Sequence, residues 1–241
     1  MIKPFMNLII LSKDDFIEDT SRVNIQDHRL EHIIKVNKPS VGDELRVGLI
    51  NGIIGSGRIR SIEKNGIEMD VVLDREPPAP LQLTLVFAMV RPRVFKRVLT
   101  QVTAMGIKKI IVINSYRVEK SFWKSPVLED ESLNRYLIRG LEQGQDTIVP
   151  EILIRPLFKP FVEDELPDII KGTLPFVAHP YTSEPCPYNI GRPVTLAVGP
   201  EGGFIQYEVE KLIECGFSTV HMGERTLHVE SAISGLISKL M

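Results

Sequence analysis

The sequence predicts a two-part chain: a small β-rich domain over residues 1–74, then an α/β domain over residues 81–241 built on a mostly parallel sheet. Three observations carry that reading. Short apolar-alternating runs separated by glycine or Asn-Gly fill the first part, the pattern of a small barrel or meander. A proline-rich stretch, "DREPPAP", then closes it, because Pro77, Pro78 and Pro80 cannot sit inside either regular element. Beyond the prolines, apolar strand runs alternate with helical periods, as in a sheet covered on both faces.

In order, "DHRLEHIIKV" predicts a brief helix capped by Asp27, and "DELRVGLI", "IIGSGRIRSIEK" and "GIEMDVVLD" predict strands. After the linker, "LQLTLVFAMV" is a strand and "RVFKRVLTQVTAM" a helix ending at Gly106. "KKIIVIN" is a fully apolar strand, "EDESLNRYLIRGLEQG" a helix, and "PEILIR", "LPFVAH" and "VTLAV" are strands. "YEVEKLIECG" is a helix closed by Gly216, "STVHMG" a strand, and "VESAISGLISKLM" a final helix. Its Ile233, Leu236, Ile237 and Leu240 share one stripe, which reads either as an exposed dimer surface or as core.

Hydrophobic residues make up 43% of the 241, enough to bury a core, and the net charge is only -2. Bulk electrostatics therefore announce no nucleic-acid binder, and any such surface is a local patch. Cys186 and Cys215 lie far apart, which excludes a disulfide framework and a CxxC zinc site. His28 and His32 have metal-ligand spacing but no third ligand nearby, so no metal is expected. The apolar run near the start is broken by Lys13, Asp14 and Asp15, and no run is long enough to span a membrane. A cytoplasmic protein is expected.

The stretch "LAVGPEGGF" reads as strand, tight glycine turn and helix start, a frame that suits a nucleotide-derived ligand. A P-loop is excluded because no Gly-Lys-Ser/Thr occurs in it. A dinucleotide turn lacks GxGxxG spacing, and too little chain follows for the strands that fold still needs. A strand-to-helix turn that needs glycine for sterics alone stays open.

"VGPEGGF", followed after a helix and strand by "MGERTLHVESA", resembles the two signature segments of the RsmE family of SPOUT methyltransferases. "EHIIKVNKPSVGDEL", "INSYRVEK", "LEQGQDTIVPEI" and "VAHP" match further family segments in the same order. The resemblance implies a PUA-like β-barrel domain followed by a C-terminal α/β domain with a trefoil knot. It implies a homodimer that uses S-adenosylmethionine to methylate N3 of one uridine in 16S RNA of the small ribosomal subunit. A divergent paralogue with another RNA target, or an RNA-binding protein that has lost catalysis, stays open beside it. The sequence departs from the family at His228, Val229 and Ser231 in the last motif, at Lys38 and Ala104, and at Asp146, where the family carries arginine.

By motif, the resemblance puts the cofactor against His179, Pro180, Gly199, Pro200, Gly202, Met222, Gly223 and Leu227. Arg225 is the candidate for stabilising the uridine anion or its phosphate, and Glu230 for accepting a proton or anchoring the loop; a helix-capping carboxylate stays open for Glu230. Arg91, Arg93, Lys96 and Arg97 cluster at a helix opening and, with Arg117, are the candidate RNA contacts; a solvated face stays open for the cluster.

Overall fold

The computed structural model describes residues 7–18 and 20–241, which form two compact units: the described residues up to Ala79 with Ile138–Val149, and Pro80–Leu137 with Pro150–Met241. In the first unit, strands β1 (Ile9–Leu11), β2 (Arg22–Ile25), β3 (Glu44–Leu49), β4 (Ile54–Glu63) and β5 (Gly66–Arg75) make one sheet in the order β1-β3-β4-β5-β2. β1 joins β3 in parallel and the other pairs are antiparallel. β1 and β2 remain edges, so the sheet is an open half-barrel. Strand alternation sorts the side chains of β1: Ile9 and Leu11 enter the main core with Val23, Ile25, Leu45 and Val47. Leu8 and Ile10 point the other way, into a smaller cluster with Ile54 and Leu141.

Helix α1 (His28–His32) starts where its sequence asks, with the Asp27 carboxylate accepting the Arg29 N–H, and a π turn, Ile33–Asn37, extends it. Asp146, which stands where the family carries arginine, is 4% exposed and its carboxylate accepts the Ile148 N–H. It builds its own turn.

The second unit carries a six-stranded, wholly parallel sheet in the order β11-β9-β10-β6-β7-β8. Its strands are β6 (Leu83–Ala88), β7 (Lys109–Ile113), β8 (Glu151–Arg155), β9 (Leu174–Ala178), β10 (Val194–Val198) and β11 (Ser218–Val220). Every residue of β10 is buried, so both faces are covered there. The helices are α2 (Pro92–Ala104), α3 (Asp130–Gly144, of which the residues from Ile138 on are grouped with the first unit), α4 (Phe158–Pro160), α5 (Leu166–Ile169), α6 (Gln206–Glu214) and α7 (Val229–Leu240). α2 and α6 both end ahead of a glycine with positive φ, Gly106 at 88° and Gly216 at 106°. The stretch from Phe158 to Ile169, interrupted by Pro160 and Pro167, is helical where the sequence carried no such expectation.

The apolar stripe of α7 is core. Ile233, Leu236, Ile237 and Leu240 are each at most 1% exposed within the single chain, so the stripe offers no dimer surface. Beyond α7's own bonds, Asn189 and Ile190 donate their N–H groups to Lys239 and Leu240, tying the 181–192 loop to the helix end. No described helix is long and apolar enough to cross a membrane.

Candidate functional site

β9, β10 and β11 end side by side, at Ala178, Val198 and Val220. In a parallel sheet the loops after such ends are the natural place for a ligand. A cavity of about 290 Å³ lies there, lined by all three loops and by the start of α7.

The loop after β10 is the glycine turn. The Gly203 N–H closes it on the Pro200 carbonyl at 2.8 Å, with φ of 71° at Gly203. Gly199 is the sterically demanding position, since a Cβ there would lie 2.7 Å from the Phe204 nitrogen and about 3 Å from Gly203 backbone. At Gly202 a Cβ would meet only the flexible Arg117 side chain, 2.9 Å from Cδ. Arg117 crosses the turn to donate a hydrogen bond to the Gly202 carbonyl. Glu201, also in the turn, accepts the Arg91 N–H at 3.1 Å.

The loop after β9 contributes His179, Pro180 and Tyr181. The His179 N–H donates to the Val220 carbonyl, and the ring meets Tyr181 edge-on at 5.6 Å. Partial burial holds the His179 imidazole below its ordinary value, favouring the neutral ring. After β11, the His221 Nδ1 accepts the Gly223 N–H at 2.9 Å, shaping a bend in which Gly223 has φ of 105°. That bend turns the chain past Arg225, Thr226 and Leu227 into α7.

All eight residues carried over for the cofactor line this one cavity, as do Arg117 and Arg225. Arg225 is exposed and makes no side-chain hydrogen bond or ion pair among the described residues. Glu230 is not in the lining. It sits in the first turn of α7, where its own backbone N–H and then the Arg97 guanidinium at 2.6 Å hold its carboxyl below the usual carboxylate range. Arg91, Arg93, Lys96 and Arg97 stay on the exposed opening of α2 and do not line the cavity; Lys96 lies 5.7 Å over the Tyr136 ring.

Several residues escaped the sequence reading. Tyr181 and His221 line the cavity and adjoin motif residues, so proximity to the motifs was the available signal. Glu208 gave none: it occupies an ordinary helical position, yet it is only 3% exposed.

A ligand-sized cavity over the carboxyl ends of adjacent parallel strands defines an α/β ligand-binding enzyme domain. The RNA methyltransferase domain family matches residues 77–241, and the chain belongs to that family, the RsmE family of RNA methyltransferases. The chain is similar to ribosomal RNA small subunit methyltransferase E of Treponema pallidum, with 29% identity over 94% of this chain and 87% of the relative. The structure of ribosomal RNA small subunit methyltransferase E from Neisseria gonorrhoeae bound to S-adenosyl methionine has the same fold. Its TM-score is 0.72 at 19% identity, over 97% of this chain and 96% of that one. A Legionella pneumophila methyltransferase in complex with SAM gives 0.73 at 19% identity, over 97% and 96%. The fold is thus that of a SPOUT methyltransferase domain preceded by a β domain.

Proposed function

We propose that this protein uses S-adenosylmethionine to methylate N3 of a uridine in the 16S RNA of the small ribosomal subunit. The observation that carries the reading is the convergence of all eight motif-derived cofactor residues on one cavity at the strand ends. The names of the relatives and the cofactor-bound neighbours support the same chemistry.

The lining suits the cofactor. Val198, Phe204, Met222 and Leu227 offer apolar surface for an adenine, while Gly199, Gly202 and Gly223 expose backbone for its polar groups. A Cβ on Gly223 would stand in open space, so the backbone there is approachable. A neutral His179 adds no positive charge beside a sulfonium.

When bound, the cofactor supplies an electrophilic methyl group. Uridine N3 must lose its proton before it can take that methyl. The Arg225 guanidinium, unpaired among the described residues, is suited to stabilise the resulting anion, or its adjacent phosphate, without reorganising a pre-existing bond. Glu230, already paired with Arg97, anchors α2 to the start of α7 and is a poor proton acceptor. Orientation of the two reactants carries much of the remaining acceleration. Arg91, Arg93, Lys96, Arg97 and Arg117 contact RNA phosphates.

Three further properties belong to this reading. The 181–192 loop, bonded both to His221 and to the end of α7, is the loop through which the trefoil-knotted chain passes. The protein acts in the cytoplasm. It works as a homodimer, through a surface other than the buried α7 stripe.

The test is mass spectrometry of small-subunit RNA from cells deleted for the gene. One methyluridine should vanish, returning with the wild-type gene and not with Arg225→Ala. Loss of a different modification would indicate another RNA target. An unchanged nucleoside profile would leave an RNA-binding protein without catalysis.

A further inference from the structure

We infer that Glu208 is the positioning residue for Arg117: its buried carboxylate clamps the loop after β7 to the start of α6, just behind the glycine turn, so that Arg117 stays across the mouth of the cavity. The inference deepens the proposed reading and rests on it, because it takes Arg117 as an RNA contact.

Glu208 lies in the first turn of α6 and is 3% exposed. One carboxylate oxygen accepts the Tyr116 N–H at 2.7 Å. The other accepts the Ser115 hydroxyl at 3.0 Å and the Ile205 N–H at 3.0 Å. The bond to the Ile205 N–H is the reach-back half of a capping box, which a solvent-exposed glutamate at the same helical position makes without burying a charge. Burying a carboxylate among neutral donors is costly. What it adds over a local cap is simultaneous grip on two segments more than ninety positions apart in the chain.

The gripped segment carries Arg117. Ser115 and Val118 are buried, whereas Tyr116 is 81% exposed and Arg117 is exposed. Side-chain packing therefore does not set the direction in which Arg117 leaves the loop; the backbone does, and Glu208 holds that backbone at the Tyr116 amide. From there the Arg117 stem lies over Gly202 and its guanidinium reaches the Gly202 carbonyl. A guanidinium held ready in this way loses little freedom when it meets a phosphate.

Glu208→Gln isolates the clamp. With its single acceptor oxygen toward Ile205 and Ser115, glutamine turns its NH₂ donor toward the Tyr116 N–H, so the helix start stays satisfied while the backbone tie at the Tyr116 amide is lost and only the Ser115 hydroxyl still holds the loop. The experiment compares full-length wild type, Glu208→Gln, Arg117→Ala, the double variant and Tyr116→Ala. Small ribosomal subunits from the deletion strain are the substrate, and S-adenosylmethionine affinity is measured by calorimetry.

Arg117→Ala and Glu208→Gln should each raise KM for subunits about tenfold, the scale of one charge-assisted contact, with cofactor affinity unchanged. The double variant should be no worse than Arg117→Ala alone, an equality that general loosening of the fold would not produce. Tyr116→Ala keeps the amide clamp and should keep the low KM. An additive double variant, or a silent Glu208→Gln beside an impaired Arg117→Ala, overturns the inference and leaves the proposed function standing. A silent Arg117→Ala instead removes the RNA contact on which both depend. Should Glu208→Gln not fold, hydrogen exchange of the wild-type Tyr116 amide decides: slow exchange supports the clamp, and exchange at the rate of an open loop overturns it.

Discussion

Arg97 on α2 and Glu230 in the first turn of α7 meet at 2.6 Å, with side-chain exposures of 53% and 22%. The pair explains why a carboxylate in a signature segment need not act on substrate. Exposed pairs of this kind contribute about 0.5 kcal/mol, and the helix start adds a comparable amount. Glu230→Gln should therefore lower the melting temperature only slightly and leave methyl transfer within a few-fold of wild type. Because the folded carboxyl is held below 4.5, its stabilisation is present above that value and fades as pH falls through the folded one. A rate loss beyond about a hundredfold would restore Glu230 as a proton acceptor.

The two glycines of the turn should behave differently. A methyl group on Gly199 meets backbone at 2.7 Å, so Gly199→Ala should cost about 1–3 kcal/mol and abolish cofactor binding. Gly202→Ala displaces only the Arg117 stem. It should melt like wild type, keep its cofactor, and show raised KM for RNA. Equal damage from both, by melting and calorimetry, would contradict this geometry.

Cofactor affinity should fall in acid through His179. Its folded value lies below 6.5, so its neutral form stabilises the site above 6.5 and that contribution is lost as pH falls from there through the folded value. A protonated ring would also repel the sulfonium. Calorimetry between about pH 7.5 and about pH 5.5 should show weakening that His179→Asn flattens. An unaltered pH dependence in that variant would remove His179 from the account.

Ile237→Ala should cost about 2–5 kcal/mol by leaving a void in the core, with no change in oligomeric state measured by sedimentation. A folded monomer produced by that change would mean that the stripe is an interface after all.

Arg93 and Lys96 are exposed on one face of α2. If both touch phosphate, replacing them with alanine should weaken RNA binding and lower the slope of log affinity against log salt by about two. Cofactor affinity is the control and should not move. An unchanged slope would make the cluster a solvated face.

The elements were legible in the sequence wherever periodicity and punctuation agreed. Gly106 and Gly216 end helices because positive φ is cheap for glycine, and the apolar runs of β7 and β10 are buried as their composition requires. Phe158–Ile169 was not legible, since Pro160 and Pro167 look like loop punctuation while each occupies a position a helical turn tolerates. The cavity was legible through its motifs, all from segments near the strand ends. Glu208 and Asp146 were not, because no local pattern announces a buried acid: Glu208 is held by hydrogen bonds from residues more than ninety positions away, and Asp146 by a bond within its own turn. Residues 138–149, grouped with the first unit, were hidden for a similar reason: Thr147 donates its hydroxyl to the Gly52 carbonyl and accepts the Asn51 N–H, partners that no local pattern announces.

The parallel register of β6 with β10 sets Leu83 opposite Val194, so two adjoining central strands are 194 − 83 = 111 positions apart along the chain. Neither strand can be completed until that intervening length has been drawn in, and the entropy of closing so long a loop is lost before the pairing rewards it. The cavity hangs on the end of β10 and is therefore expected to form late in refolding, with cofactor binding recovered after the sequence-near strand pairs have closed.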